Sequence, residues 1–179
     1  IRMAHKKFIV VERIFQHRAA RIVAVGGHDV NVLKIEGIDK NVDMVYNGIM
    51  DYTKINFDEK DFRLVPTIKE IKQKYRSVIM CIARISGQKK FDLFVDIAKI
   101  MPDDAFVWIG NKEEMTGLPE NIYCLGEASN AHFYLKYADV FILPSNYEGL
   151  PISILEALSY SVPAVASDVG AISEVLDGT

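Results

Sequence analysis

The feature of this sequence that most limits its fold is a series of continuous apolar segments that recur after residue 77. They are the segments 78–83, 105–109, 122–125, 139–143 and 163–167. Segments with helical spacing of apolar residues alternate with them, at about 91–101, 130–138, 152–160 and 171–176. Strands that are apolar throughout and are separated by single helices are typical of a parallel sheet covered on both faces. We therefore predict an α/β fold with a Rossmann-like, doubly wound parallel sheet.

The first 76 residues are less regular and divide at about residue 50. Their apolar spacing predicts four short elements: helix 4–19, strand 21–25, helix 30–35 and strand 42–46. The residues that follow are polar up to Pro66, which favours a linker, and a short helix capped by Thr67 comes next. The predicted parts are thus 1–50, 51–76 and 77–179, and we expect the chain to be a piece of a longer protein.

Composition excludes several classes of protein. The chain has 179 residues, of which 50% are hydrophobic and 25% charged, so it is neither disordered nor of low complexity. Cys81 and Cys124 are too few for a disulfide framework, which favours a reducing, intracellular environment. The longest apolar runs are far shorter than the roughly 18 residues of a membrane-spanning helix, and no secretory signal is visible.

Charge is distributed unevenly along the chain. Residues 1–21 contain six Lys or Arg and one acid, whereas the remaining residues carry a net charge of −8. Such an acidic surface makes nucleic-acid binding a poor candidate function. The basic segment has two interpretations: a solvated helix face, which we favour, or a contact with an anionic membrane surface.

Motifs for several common chemistries are missing from the sequence. Neither G-x-G-x-x-G nor G-x-x-x-x-G-K-[ST] occurs, and neither does the G-x-S-x-G of serine hydrolases. The four histidines are scattered and the two cysteines lie 43 residues apart, so no metal-ligand spacing is present. His132 lies in a predicted helix beside apolar residues, which favours a structural role. We therefore expect no metal and no bound cofactor.

A cationic loop follows the first strand of the regular part. It contains Arg84, Lys89 and Lys90, immediately before a predicted helix. In a doubly wound sheet, ligands bind at the carboxyl edge of the strands, and the N-terminus of a helix attracts anions. The loop therefore suits a diphosphate, with a solvated basic loop as an alternative of equal weight from this segment alone.

An acidic pair surrounds a second loop, residues 144–151. Glu148 lies in this loop, and Glu156 lies about one and a half turns into the helix that follows. Gly149 permits a close approach of the backbone to a ligand, and Pro151 is suited to a first helical turn. Carboxylates accept hydrogen bonds from vicinal hydroxyl groups, which riboses and hexoses present. Stabilisation of the helix dipole by Glu148 and a plain surface carboxylate at Glu156 are the alternatives.

Five segments resemble motifs of the group 1 (family four) retaining glycosyltransferases, in that family's order. Residues 148–156 resemble its E-x7-E motif, and residues 84–89 resemble its G-R-[LI]-x-x-x-K-G loop. The other segments are 46–49, which is similar to P-N-G-[VI], 138–145, which is similar to A-D-[VI]-x-[VL]-x-P-S, and 170–174, which is similar to G-G-x-x-E. The resemblance covers the chain from about residue 20 to its end.

The resemblance implies the GT-B architecture, in which two Rossmann-like domains face each other across a cleft. Residues 77–179 would be a truncated C-terminal, donor-binding domain, 51–76 a linker and connecting helix, and 1–50 the end of the N-terminal, acceptor-side domain. The full enzyme would be a hexosyltransferase of polysaccharide biosynthesis. It would move a sugar from a nucleotide-diphosphate sugar to a glycan or lipid-linked acceptor with retention of configuration, whereas the fragment alone would be inactive. A nucleotide-sugar epimerase and a non-catalytic GT-B nucleotide-binding or assembly subunit are the alternatives.

The resemblance also implies roles for individual residues. Arg84 and Lys89 would hold the donor diphosphate and Glu148 would contact hydroxyl groups of the donor sugar, so these three are the candidate catalytic residues. The candidate donor-binding residues are Gly149, Leu150, Pro151, Ile152 and Glu156, the last on the ribose, with Gly110, Asn111, Glu127 and Ala128 near the base. We expect a UDP-sugar in preference to a GDP-sugar, with no metal required.

Two positions depart from the family's pattern. Lys90 and Ala171 stand where the motifs have glycine. A side chain at position 90 puts a close backbone approach to phosphate in doubt. The implied location of the protein is the cytoplasm, at the inner face of the cell membrane, with peripheral membrane contact through the missing N-terminal domain.

Overall fold

The structure is a computed structural model, and it describes residues 6–177 of the chain. Its helices and strands, in chain order, are α1 (Lys6–Phe15), β1 (Ile22–Ala24), α2 (Gly27–Ile35), β2 (Val42–Met44), α3 (Val65–Lys74), β3 (Val78–Ile82), α4 (Phe91–Ile100), β4 (Ala105–Ile109), β5 (Ile122–Cys124), β6 (Val140–Leu143), α5 (Ile152–Ser159), β7 (Ala164–Ala166) and α6 (Ser173–Leu176). Short 3₁₀ helices occupy Gln16–Arg18, Tyr52–Lys54, Glu59–Asp61 and Ala131–Tyr137. The described residues form two compact units: unit 1 contains 6–47, 148–150 and 168–177, and unit 2 contains 48–147 and 151–167.

Unit 2 is built on a five-stranded parallel sheet with the strand order β5-β4-β3-β6-β7. The register pairs Val78 with Ala105 where β3 and β4 begin, and Ile82 with Ile109 where they end. From β3 the chain passes to β4 and β5 on one side, and then returns to β6 and β7 on the other. The strand order therefore reverses next to β3, and this topology confirms the predicted doubly wound α/β fold.

The two central strands carry the core of unit 2. Residues 78–81 and 105–109 are all buried, as expected for parallel strands covered on both faces. Trp108 is 0% exposed and packs edge to face against Phe91 and Phe94 at the start of α4. Its indole Nε1 donates a 2.7 Å hydrogen bond to the carbonyl of Ala83, just beyond β3. The ring is thus buried with its polar atom paired, and it ties α4 to the ends of both strands.

The segment that we predicted as a linker packs within unit 2 through its aromatic side chains. Phe62 is 7% exposed and stacks on Phe133 with the ring centroids 3.8 Å apart, and Phe57 meets both rings edge to face. The helix α3 begins two residues before Thr67, so Thr67 is not its cap, and Pro66 lies in the first turn. Proline is tolerated there because the first-turn amides have no intrahelical partner.

A further difference from the sequence prediction concerns residues 130–138. They do not form an α-helix but wind as a 3₁₀ helix over Ala131–Tyr137. Phe133, Tyr134 and Leu135 are all buried there. Three consecutive buried residues do not fit the one-sided amphipathic helix that we expected. In this short connection, tertiary packing on all sides sets the winding of the helix.

Unit 1 contains the parallel strand pair β1–β2, in which Ile22 pairs with Val42. The helix α2 connects the two strands, so this part repeats the strand-helix-strand arrangement of the larger sheet. Several large apolar side chains are exposed on unit 1, among them Phe8, Ile14 and Val23.

The helix α1 ends at Phe15, earlier than predicted, and residues 4 and 5 of the predicted helix lie outside the described residues. Gln16 explains the end, because its buried amide bonds backbone groups elsewhere in unit 1. Its Nε2 donates to the Gly37 carbonyl, and its Oε1 accepts from the amides of Asp39 and Lys40, all at 3.0 Å. Within residues 6–177, no helix has the length and hydropathy that crossing a bilayer requires.

Trp108→Phe is expected to lower the free energy of unfolding by about 1–3 kcal/mol, because it removes the hydrogen bond to Ala83 and leaves a small cavity. Urea unfolding followed by circular dichroism measures the change. The control is Ile100→Ala, at an exposed helix end, which should stay within about 0.5 kcal/mol of the unaltered chain. Equal unfolding energies for the Trp108 variant and the unaltered chain would contradict the anchoring role of the indole.

Candidate functional site

A cavity of about 320 Å³ lies at the carboxyl edge of the sheet in unit 2. It is lined by the ends of β3 and β4 and by the turn that follows β5: Ile82, Ala83, Arg84, Ile109, Gly110, Glu127, Ala128 and Ala131. Four of these residues, Arg84, Gly110, Glu127 and Ala128, are candidate site residues from the sequence. The fold therefore brings together one candidate for the diphosphate and three candidates for the base.

The floor of the cavity is a close contact between backbone segments. Gly110 has a φ of +121°, and a Cβ atom placed there would lie 2.5 Å from the Ala83 carbonyl oxygen. The same oxygen accepts the hydrogen bond from the Trp108 indole, and the Ala83 amide donates to the Ile109 carbonyl at 2.9 Å. Any side chain at position 110 would push the two strand ends apart, so the cavity requires glycine here.

One wall of the cavity depends on Asn111. Its Oδ1 accepts a 2.8 Å hydrogen bond from the Gly126 amide, and its Nδ2 donates to the Glu113 carbonyl at 2.9 Å. The Gly110 amide donates to the Gly126 carbonyl at 2.8 Å. Asn111 is buried and does not line the cavity. Through these hydrogen bonds, its side chain holds the two loops at the cavity edge together.

The cations of the loop after β3 lie in different surroundings. Arg84 is exposed and lines the cavity, whereas Lys89 is half-buried at the end of a turn in which its amide donates to the Ser86 carbonyl at 3.0 Å. Lys90 has a φ of +50° and immediately precedes α4. Since the left-handed region favours glycine, the backbone itself accounts for the glycine that the family's motif has at this position.

The helix α5 carries a half-buried carboxylate. Pro151 caps the helix in an extended conformation, and Ile152 begins it, half exposed. Burial raises the pKa of Glu156, one turn further along. Burial, the neighbouring Tyr52 and Glu156 together raise the pKa of Tyr160 to about 12. A carboxylate that is partly desolvated binds a hydroxyl donor more strongly than a fully solvated one.

His132 lies beside α5 and packs against aromatic rings. It stacks on Tyr52 with the ring centroids 3.9 Å apart, and its Nδ1 is 3.1 Å from the Tyr160 hydroxyl. Burial and the charge of Lys136 lower the pKa of His132, which favours the neutral imidazole. This packing is consistent with the structural role that we predicted for His132.

Amide groups of Gln88 and Asn146 hold the loops after β3 and β6 together, and neither residue was predicted from the sequence. The Gln88 carbonyl accepts from the Asn146 amide at 2.8 Å, and the Gln88 Nε2 donates to the Tyr147 carbonyl at 2.9 Å. Ser145, 3% exposed, has a buried hydroxyl without a hydrogen-bond partner among the described residues. The pattern of residue types contains no signal for these contacts, because they arise only where the strand order reverses.

Glu148, Gly149 and Leu150 belong to unit 1, where neighbouring backbone fixes their conformation. The Ala171 amide donates to the Gly149 carbonyl at 3.0 Å, and the Asn47 Nδ2 donates to the Leu150 carbonyl at 2.7 Å. The Glu148 carbonyl lies so close to Gly170 that a Cβ there would collide with it. These contacts hold the loop that contains the first glutamate of the E-x7-E motif.

Ala171, the second departure from the family's pattern, is accommodated by a glycine opposite it. Its side chain is buried, and a Cβ atom at Gly26 would collide with the Ala171 methyl group. The space between positions 26 and 171 therefore holds a single methyl group, which here belongs to Ala171. The backbone at position 171 keeps its hydrogen bond to Gly149 in spite of the substitution.

Glu174 of the last motif closes the N-terminus of α2 in unit 1. Its carboxylate accepts 2.8 Å hydrogen bonds from the amides of Gly27 and His28 and a 2.9 Å hydrogen bond from the Tyr46 hydroxyl. The two amide hydrogen bonds lower the pKa of Glu174. A carboxylate at this position also interacts favourably with the helix dipole.

The other candidate residues lie outside the lining of the cavity. They are Lys89, Asn111, Pro151, Ile152 and Glu156 in unit 2, and Glu148, Gly149 and Leu150 in unit 1. Among residues 6–177, no group of three or more His, Cys, Asp or Glu side chains is placed to hold a metal ion.

Glu156→Gln is expected to raise the melting temperature at neutral pH. Because burial raises the folded-state pKa above its ordinary value of 4.5, the ionised carboxylate costs the folded state stability once the pH exceeds that value. The amide removes this cost. Thermal unfolding followed by circular dichroism should show the largest gain at about pH 7 and none well below about pH 4.

Glu174→Gln is expected to change stability in the opposite direction. The folded-state pKa of Glu174 is lowered, so its carboxylate stabilises unit 1 above the unfolded-state pKa, and this contribution is lost as the pH falls through the folded-state pKa. The variant should melt at a lower temperature than the unaltered chain at about pH 7, and the difference should vanish in acid. Because the two exchanges are chemically identical, equal effects of the two variants would show that at least one of the two assignments is wrong.

Comparisons with known proteins identify the family. Residues 76–179 match the family model described as glycosyl transferases of group 1. The lipopolysaccharide core biosynthesis mannosyltransferase LpsB of Rhizobium meliloti (strain 1021) is 32% identical over 121 residues, which cover 58% of this chain and 34% of that protein. The UDP-Gal:alpha-D-GlcNAc-diphosphoundecaprenol alpha-1,3-galactosyltransferase of Escherichia coli is 33% identical over 108 residues, which cover 51% of this chain and 28% of that protein.

A solved structure shows the same fold. The crystal structure of Anabaena Alr3699/HepE in complex with UDP-glucose superposes with a TM-score of 0.79 at 16% identity, and it covers 96% of this chain and 51% of that one. This chain thus spans only part of these proteins, between 28% and 51% of their length. Since the family model matches more than half of the chain, this protein belongs to the group 1 glycosyl transferase family.

Proposed function

We propose that this chain supplies the donor site of a retaining hexosyltransferase that uses a nucleotide-diphosphate sugar, with the nucleotide bound in the cavity of unit 2. The observation that carries the proposal is the position of this cavity at the carboxyl edge of a doubly wound sheet, with Arg84 in its lining. In open α/β sheets, ligands bind at that edge, next to the reversal of strand order. Membership of the glycosyl transferase family makes a nucleotide sugar the ligand of choice.

The shape and chemistry of the cavity suit a nucleoside. Its volume of about 320 Å³ is at the lower end of the range for small-molecule sites. Ile82 provides apolar surface for a planar base, and the glycine at position 110 exposes backbone. A small cavity favours uracil over a purine. Two of the proteins compared above also support uracil, because one is named for UDP-Gal and the other was crystallised in complex with UDP-glucose.

The cations of the loop after β3 would bind the diphosphate. Negative charge grows on the leaving nucleotide as the glycosidic bond breaks, and a cation held near that charge stabilises the transition state. Arg84 lines the cavity, and Lys89 lies two residues before α4, whose N-terminal amides add partial positive charge. These groups supply the charge that a divalent metal supplies in other transferases, so we propose a reaction that requires no metal.

The two glutamates would bind hydroxyl groups. Glu156 is half-buried on α5 in unit 2, the unit that contains the cavity, which suits the ribose. Glu148 would contact the donor sugar, as the resemblance implies, and the contacts of unit 1 hold its backbone. The acceptor would be a glycan or a lipid-linked sugar of a cell-surface polysaccharide, because the relatives compared above are named for lipopolysaccharide core synthesis and for an undecaprenol-linked acceptor.

Millimolar UDP is expected to raise the melting temperature of the chain, because a ligand that binds only the folded state stabilises it. Arg84→Ala and Lys89→Ala should each weaken UDP binding by about tenfold or more, since each removes a charged partner of the diphosphate. Isothermal titration calorimetry, at a temperature where every variant is folded, measures the affinities.

The matched control is Lys99→Ala, which removes an exposed cation that pairs with Asp96 at the other end of α4. Its affinity for UDP should equal that of the unaltered chain, and addition of EDTA should change none of the values. A melting temperature that stays constant in UDP would contradict the proposed function, as would a loss in the Lys99 variant equal to that in the Lys89 variant.

A further inference from the structure

The turn that forms one wall of the cavity has a left-handed residue at each end. Gly126 has a φ of +81° and Asn130 has a φ of +50°, and Glu127 and Ala128 between them line the cavity. The Gly126 end is held by its backbone hydrogen bonds to Gly110 and to the Asn111 side chain, and the Asn130 carbonyl accepts from the Phe133 amide at 3.0 Å. The lining residues thus lie on a span whose two ends are fixed.

Arg63 reaches the middle of this span from the segment before α3. Its guanidinium donates a 2.7 Å hydrogen bond to the Glu127 carbonyl. The side chain is exposed, but the backbone on either side of it is anchored, because Phe62 and Leu64 are 7% and 5% exposed. Phe62 also stacks on Phe133, which lies just beyond the turn. An arginine on an anchored backbone can hold a carbonyl in place without being buried itself.

We infer that Arg63 is a positioning residue of the nucleotide cavity, an inference that rests on the proposed function of that cavity. The guanidinium holds the Glu127 carbonyl and thereby sets the position of Glu127 and Ala128 against the bound nucleoside. Arg63 acts through the backbone of the wall, so its contribution concerns the base and the ribose. It does not depend on the phosphates.

A direct electrostatic contact with the diphosphate is the alternative role for an exposed arginine near a nucleotide. The two roles differ in what they predict for an uncharged ligand. A phosphate partner affects UDP alone, and its contribution falls as salt screens the charges. A residue that positions the wall affects uridine and UDP alike, and salt leaves its contribution unchanged.

The experiment compares Arg63→Met with Lys60→Met in the full chain. Methionine retains an unbranched apolar side chain but removes every donor. Lys60 is an exposed cation on the same segment, and its side chain makes no hydrogen bond or ion pair with any of residues 6–177. Affinities for UDP and for uridine are measured by calorimetry and by competition, at low and at high ionic strength. Circular dichroism melts establish that both variants are folded at the temperature of measurement.

Arg63→Met is expected to weaken the binding of UDP and of uridine by the same factor, about fivefold, at both ionic strengths. Lys60→Met should leave both affinities unchanged. A loss confined to UDP, a loss that disappears at high salt, an equal loss in the Lys60 variant, or no loss at all would overturn the inference. If the unaltered chain bound neither UDP nor uridine, both the inference and the proposed function would be wrong. The four outcomes named above would overturn the inference alone.

Discussion

The contact between the ends of β3 and β4 is the constraint on which the fold and the site both depend. The Ala83 carbonyl accepts the indole proton of Trp108 from the core, and Gly110 lies against the same carbonyl from the side of the cavity. One carbonyl group thus belongs to the packed interior and to the cavity floor. Burial of the indole and the shape of the cavity are consequently not independent, because a shift of either strand end would alter both.

Glu156 and Glu174 show how different surroundings shift the pKa of the same type of side chain in opposite directions. Glu174 accepts two backbone amides and a tyrosine hydroxyl, so the folded state favours its ionised form. Burial of Glu156 has the opposite effect. A carboxylate that lowers the stability of the folded state is typical of functional positions. At such positions a group that contacts a ligand is kept although it destabilises the folded protein.

The sheet could be predicted from the sequence because parallel strands buried on both faces must be apolar throughout. The runs that contain Met80, Val107 and Phe141 have this property, and the structure places all three in neighbouring strands. The winding of residues 131–137 could not be predicted, since the packing of Phe133 against other aromatic rings is a tertiary contact. The start of α3 could not be predicted either, because no side chain among residues 6–177 caps that helix. Lys90 is an intermediate case: the sequence marks it as unusual, but only its left-handed backbone explains why.

By itself, the sequence determined the fold class and the family, because apolar periodicity and motif order are local properties of the chain. Tertiary structure alone decided which of the candidate residues share a cavity. It also decided that Arg63 supports the wall of that cavity, from a segment with no recognisable motif. The physical reason is that these contacts join backbone groups to distant side chains, and a backbone carbonyl carries no signature in the sequence.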